Sequence, residues 1–401
     1  LKLSEEEKMF SKSTRRKFLS AIGIGAGSAA LAACGAAATP TAQSNATTGS
    51  GTTGAATSAP AQQSGQTFTL KMQTTWGAKD IFNEVFQDWA NKVQEMSNGR
   101  LKIEILPSGS VVGAFQLIDA VDKGTLDGGH GVPAYWFGLK EAASLFGTGP
   151  SFGMDAETLL GWIHFGGGQE LYNELIQKEL KKNVVSFFHG PMPTQPLGWF
   201  KNEVKSADDL KGQKYRTVGI AIDVFKELGA SPQAIAGGEV VPSLERGVID
   251  SAEFNNPSSD KLLGFPDVRK VLMLQSYHQP VESLELLINK GKFDALPKDL
   301  QAIIKYAAMA QSAEFTWKMM DRNSKDLAEM KEKNGVKVFK TPQSVLEAQL
   351  KAWDKVIDAK KSDPFFAKVL DSQRQWAGRV VPYRLEVLVD NNLAYNHYFK
   401  K

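Results

Sequence analysis

Residues 35–66 contain only Gly, Ala, Ser, Thr, Pro, Gln and Asn. A run of 32 residues with no charge and no aromatic ring cannot bury enough apolar surface to offset the entropy of ordering its backbone. It therefore divides the 401-residue chain into a short leading segment and a body that begins near residue 67. That body is long enough for two or three domains.

The leading segment reads as an address. Paired arginines in Ser13-Thr-Arg-Arg-Lys-Phe-Leu19 precede the small, apolar run Ala21–Ala33, which closes as Leu31-Ala-Ala-Cys34. A basic start, an apolar core and a small-residue exit make an export leader. The core is shorter than the ~20 residues a membrane span needs. The twin arginine resembles the signal read by the Tat export route, and Leu-Ala-Ala-Cys resembles a bacterial lipobox. Against a chance cysteine after an ordinary signal stand two facts: Cys34 is the only cysteine of the chain, and the tether follows it directly. Residues 1–33 are thus expected to be a Tat-type lipoprotein signal and Cys34 the lipidation site. Residues 34–66 are expected to tether the body about 30 Å from the membrane. The expected location is extracytoplasmic, in the periplasm or at the outer face of the cell membrane.

Composition removes several functions from the body. Six of the 47 basic and three of the 44 acidic residues lie in residues 1–33, which leaves 41 of each sign beyond them. A neutral body argues against a nucleic-acid partner. A single cysteine excludes a disulfide framework and a cysteine-based zinc site. The five histidines are 25 or more residues apart. Gly149-Pro-Ser151-Phe-Gly153 has the letters of an esterase elbow, but Pro150 directly before the serine argues for a loop. No nucleophile–base–orienter set is found, so the chain is not expected to be an enzyme.

Hydrophobic spacing alternates between periods of two and 3.6. Strands are predicted at Thr67–Gln73, Leu101–Leu106, Val184–Phe188, Leu197–Lys201, Lys214–Val218, Val248–Phe254 and Glu285–Ile288. Helices are predicted over Asp80–Ser97, Gln116–Lys123, Ile220–Leu228, Val241–Gly247, Pro297–Lys333 and Ser344–Lys360, and over Pro364–Asp390 with an interruption at Pro382. The segment from Leu126 to His130 is read as leading into a loop. This rhythm predicts an α/β chain of two lobes with a hinge cleft and long C-terminal helices, like a periplasmic binding protein. Lobe 1 is expected from 67–190 plus 280–345, lobe 2 from 191–279, and the C-terminal helices from 346–401.

Four polar residues suit such a cleft. Arg216 ends a strand just before a helix, where its planar fork can meet a carboxylate; a surface ion pair is the ordinary alternative. Glu253 also sits at a strand end, either solvated or able to ligate a cation. Gln195, four residues before Trp199, offers an amide oxygen suited to a hard cation or a hydroxyl. Gln279 lies in Tyr277-His-Gln-Pro280, on the way back to lobe 1. Trp76, Tyr135, Trp136 and Phe254 either wall the cleft or pack the core.

From about Phe68 onward the chain resembles the solute-binding proteins of TRAP transporters, the tripartite ATP-independent carboxylate uptake systems. The stretches that carry the resemblance are Asn98-Gly-Arg-Leu-Lys-Ile-Glu104, Leu210-Lys-Gly-Gln-Lys-Tyr-Arg216, Leu244-Glu-Arg-Gly-Val-Ile-Asp-Ser-Ala-Glu253 and Tyr277-His-Gln-Pro280 with Glu285-Leu-Leu-Ile-Asn289. Within that family it looks most similar to the branch binding 2-oxo acids, lactate and similar monocarboxylates. The resemblance implies capture of a small organic acid by hinge closure and its delivery to membrane permease subunits. It implies that Arg216 pairs with the substrate carboxylate. It also implies a sodium or calcium ion held by Gln195, Glu253 and the main chain of Phe254, where relatives more usually carry Trp. Some relatives carry an acid where Gln279 stands. Some dimerise by exchanging a C-terminal helix, which the tail Val381–Phe399 permits. A sugar or peptide receptor of an ATP-driven importer, and a secreted hydrolase using Ser151, are the competing readings.

Overall fold

The structure, a computed structural model, describes residues 65–400. The leader, Cys34 and most of the tether lie outside the described residues. Eleven strands are present among those described: β1 Phe68–Thr74, β2 Leu101–Leu106, β3 Gly128–Gly131, β4 Val184–Met192, β5 Gly198–Phe200, β6 Lys214–Arg216, β7 Ser231–Gln233, β8 Ser251–Ala252, β9 Val271–Leu274, β10 Glu282–Asn289 and β11 Lys337–Lys340. They form two mixed sheets, ordered β2-β1-β3-β10-β4 and β11-β9-β5-β8-β6-β7. This is the two-lobed α/β architecture expected from the alternating periodicity.

Chain crossings between the sheets create the hinge. Residues 193–197 carry β4 into β5, residues 275–281 carry β9 back into β10, and the 35-residue helix Lys298–Glu332 leads to β11. Lys337–Lys340, placed by sequence with lobe 1, instead pairs with Val271–Leu274 of the second sheet. The first two crossings are joined: the Gln195 N–H donates to the Gln279 carbonyl at 3.1 Å, and Thr194 Oγ1 donates to the Pro280 carbonyl at 3.0 Å.

Local sequence explains most elements. The helix Ile81–Met96 starts at Asp80, whose carboxylate accepts from the Phe82 N–H, and buries Ile81, Phe82, Val85, Phe86, Trp89, Ala90 and Val93. Such a cap satisfies donors that the first turn leaves orphaned. The helix Gln343–Lys360 braces the second crossing: Trp353 Nε1 donates to the Tyr277 carbonyl at 2.6 Å, and Gln349 Nε2 to Ser276 Oγ at 2.8 Å.

Two elements differ from the sequence reading for identifiable reasons. The segment Leu126–His130, read only as leading into a loop, carries most of β3, central in the first sheet between β1 and β10. Its sequence Gly-Gly-His-Gly lacks strand formers, yet packing demands glycine, since a Cβ on Gly128 would lie 2.6 Å from the Leu287 carbonyl oxygen. The helix Pro364–Val387 runs through Pro382 without interruption. Proline removes one N–H and crowds the carbonyl four residues back. Here that residue is Gly378, and both it and Pro382 are exposed, so water can take the freed carbonyl.

Candidate functional site

The ends of the strands and the two crossings converge on a cavity of about 270 Å³. It is walled by Trp76, Phe82, Val132, Tyr135, Val218 and Phe254, with Gln195, Arg216, Asn255, Gln279 and Glu282 as its polar lining. The space is small and suits a ligand of few heavy atoms. Lobe 1 supplies Trp76 and Tyr135, the second sheet supplies Arg216 and Phe254, and the crossings supply the two glutamines.

Of the eight residues that the sequence offers for the cleft, six line this cavity. Glu253 is fully buried and pairs with Arg216, whose Nη1 donates to its Oε1 at 2.8 Å. Arg216 is the last residue of β6, which is parallel to both β7 and β8. Its Nε donates to the Ile235 carbonyl at 2.9 Å, which fixes the guanidinium plane. Its Cζ lies 5.4 Å from the Phe254 ring centroid. Nη2 has no protein partner among the described residues. An arginine 1% exposed is not the surface ion pair of the ordinary alternative. Trp136, by contrast, belongs to the core of lobe 1, where Nε1 donates to Glu285 at 2.6 Å.

The sequence reading missed Glu282. It begins β10 and is 4% exposed. Its Oε2 accepts from Gln279 Nε2 at 2.7 Å and, more weakly, from Gln195 Nε2 at 3.4 Å. Four buried oxygens around the site have no partner: Gln195 Oε1, Glu253 Oε2, Gln279 Oε1 and Glu282 Oε1. Buried polar atoms are nearly always bonded, so four orphan acceptors in one place call for something electropositive. Among the described residues no three His, Cys, Asp or Glu side chains converge as a metal-ligating group; here the oxygens come from two carboxylates and two amides.

Charge is frustrated at this point. Burial pushes the Glu282 carboxyl up to about 8, with repulsion from Glu253 adding to it and Arg216 and Gln279 opposing. Burial likewise raises Glu253 to about 7 against the pull of Arg216. Asp80 and Asp260 are also raised to about 7 by burial, but they engage their own donors and do not line the cavity. Ser151 lies in a single 3₁₀ turn followed by extended backbone, not between a strand and a helix.

Residues 72–363 match the family described as bacterial extracellular solute-binding protein, family 7. The chain belongs to this family. It is a TRAP transporter solute-binding protein, a two-lobed extracytoplasmic receptor. A monocarboxylate 2-oxoacid-binding periplasmic protein of Nostoc sp. is 31% identical over 314 residues, 77% of this chain and 83% of the relative. The TRAP solute-binding protein of Pseudoalteromonas atlantica, solved with bound sodium and pyruvate, superposes with a TM-score of 0.76 at 31% identity, covering 84% of this chain and 100% of that one. The receptor of Colwellia psychrerythraea, solved with calcium and pyruvate, gives 0.75 at 32% identity over 83% of this chain and 100% of that one.

Proposed function

We propose that this receptor captures a small 2-oxo or 2-hydroxy monocarboxylate in the cavity, closes its lobes over it and passes it unaltered to TRAP permease subunits in the membrane. The observation that carries the reading is one buried arginine whose Nη2 is unclaimed, at a small cavity ringed by orphan acceptor oxygens. The arginine neutralises the carboxylate, and charge-assisted bonds of this kind contribute about 1.5–3 kcal/mol net. The pyruvate bound by two relatives above 30% identity supports the ligand class.

The orphan oxygens of Gln195 and Glu253 fit a hard cation, which takes carboxylate and amide oxygens; a sodium or calcium ion held there, with the main chain of Phe254, would supply a positive partner for the 2-oxo or 2-hydroxyl oxygen. That oxygen is what separates the proposed ligands from plain fatty acids. Trp76, Tyr135 and Phe254 exclude water from the pair. No group activates Ser151 for chemistry in this reading.

Calorimetry with pyruvate, lactate, acetate and a sugar panel tests the proposal. Binding of the first two, with acetate weaker and sugars silent, is the expected outcome; sugar binding would favour the receptor of an ATP-driven importer. Arg216→Ala is expected to weaken pyruvate binding about 100-fold or more, since removing one partner of a buried pair costs about 2–5 kcal/mol. Its far-ultraviolet dichroism should remain that of the parent.

The same proposal extends to assembly. Leu385, Val389, Leu393, Tyr398 and Phe399 are 71–78% exposed, on the last two helices and the turn between them. Such an apolar tail favours a second copy as its cover, and light scattering on the chain with and without residues 388–401 distinguishes dimer from monomer. Lipidation at Cys34 predicts that Cys34→Ala moves the receptor out of the membrane fraction.

A further inference from the structure

We infer that Glu282 is a second anionic ligand of the cation and that it makes the site prefer a divalent over a monovalent ion. The inference rests on the proposed carboxylate–cation reading and deepens it. Glu282 reaches the cavity because β10 begins there, directly after the crossing that carries Gln279. A carboxylate only accepts hydrogen bonds. Both amides therefore turn their N–H groups toward Glu282 Oε2, which leaves Gln195 Oε1, Gln279 Oε1 and Glu282 Oε1 as bare acceptors. Glu282 thus does two things: it contributes an oxygen, and it orients two neutral oxygens.

The charge count decides the ion. With the cation bound and both carboxyls ionised, Arg216 brings one positive charge, Glu253 and Glu282 bring two negative charges, and an entering monocarboxylate brings a third. The sum is minus two, which a divalent ion cancels and a monovalent ion leaves half unmet in a buried site. Without Glu282 the sum is minus one, and a monovalent ion suffices. Asp80 and Asp260 stand outside the count because neither lines the cavity; the Asp80 carboxyl accepts from the Phe82 N–H and from Ser259 Oγ. Asp260 accepts from Trp199 and from the Asn255 N–H. The fold itself does not choose, since solved relatives hold pyruvate with sodium in one case and calcium in the other. The choice must come from local residues, and calcium sites are tuned by the number of charged ligands.

The test uses the full chain, stripped of metal by chelation and titrated by calorimetry with calcium chloride or sodium chloride in the presence of pyruvate. The wild type is expected to take one equivalent of calcium, at least about 100-fold more tightly than sodium. Glu282→Gln is expected to lose about 30-fold or more in calcium affinity while sodium affinity changes by less than about threefold. Elemental analysis of each dialysed protein gives a second readout. A folded Glu282→Gln that keeps its calcium affinity overturns the inference. So does a wild type in which calcium fails to displace sodium, an outcome that needs no variant to fold. Pyruvate binding that requires no cation overturns the inference and leaves the carboxylate reading standing; failure of the wild type to bind pyruvate with either cation overturns both.

Discussion

Glu282 and Glu285 lie three residues apart on β10, and both are buried, at 4% and 0% exposure. They belong to different worlds. Glu285 Oε1 accepts from Trp136 Nε1 at 2.6 Å and its Oε2 from Ser186 Oγ at 2.9 Å, inside the core of lobe 1. Glu282 has one oxygen engaged by amides and the other bare, at the cavity. Burial alone therefore does not mark a functional acid. A carboxylate whose two oxygens are both met by fixed donors is part of the scaffold; one left half-met beside a small cavity and an arginine is poised for a guest. The pKa directions do not separate them, since burial raises both, to about 8 and about 7. Hydrogen-bond satisfaction does.

The largest effects should come from the cleft side of this comparison. Arg216→Ala and Glu282→Gln are expected to change ligand or cation affinity by one to two orders of magnitude, while Glu285→Gln leaves both affinities within about threefold. A Glu285→Gln variant that loses pyruvate or calcium would erase the distinction.

On the scaffold side the expected readout is stability against pH. Glu285 has its pKa raised from 4.5 to about 7, chiefly by burial. The folded state thus holds this proton more tightly than the unfolded state. Its contribution to stability is complete below about pH 4.5 and is lost as pH rises through about 7, an effect on the order of 3 kcal/mol. Gln does not titrate. Its amide oxygen can accept from Trp136, and its NH2 can donate to the Ser186 hydroxyl, which reverses its role. Glu285→Gln should therefore unfold a few degrees higher than the parent at pH 8 and near the parent at pH 5. Calorimetric scans at the two pH values check this; an equal shift at both would show that the carboxyl is ionised throughout. The acid limit has another source. His189 is fully buried with neither ring nitrogen bonded, and burial lowers it to about 3. Stability tied to its neutral form is present above about 6.5 and is lost as pH falls through about 3.

Much of the fold was legible because alternation at periods of two and 3.6 survives in strands such as Phe68–Thr74 and helices such as Ile81–Met96. β3 was not, because its three glycines answer to close approach by Leu287 at Gly128, Leu117 at Gly129 and Trp136 at Gly131, and carry no periodicity. In the site, Arg216, Gln195, Glu253 and Gln279 were visible as polar residues at strand ends, in stretches shared with a known family. Glu282 was hidden. The predicted strand began only at Glu285, so the alternation was never extended back to Glu282. Its true direction depends on the crossing before it and on the register shift between Ser283 and Leu284, neither of which has a local sequence signal.

The smallest effect expected is at the seam between the lobes, and it tests whether closure matters. Gly219 has φ +62°, and a Cβ there would lie 2.8 Å from Ser144 Oγ and from Thr148 Oγ1. Those hydroxyls belong to the lobe-1 segment facing it, and Ser144 Oγ also accepts from the Ile220 N–H at 3.1 Å. Gly219→Ala carries two separable penalties. Left-handed backbone costs an L-residue about 1–2 kcal/mol whether the lobes are open or shut, which lowers the unfolding temperature of the ligand-free protein. The contact with Ser144 and Thr148 exists only when the lobes meet, so it acts on ligand affinity. Pyruvate binding is expected to weaken about tenfold, equivalent to about 1.4 kcal/mol, with the calcium-over-sodium preference unchanged. If Gly219→Ala lowers the unfolding temperature but leaves pyruvate affinity untouched, the guest is held by the cleft residues alone, and the approach of the lobes at this seam adds nothing to capture.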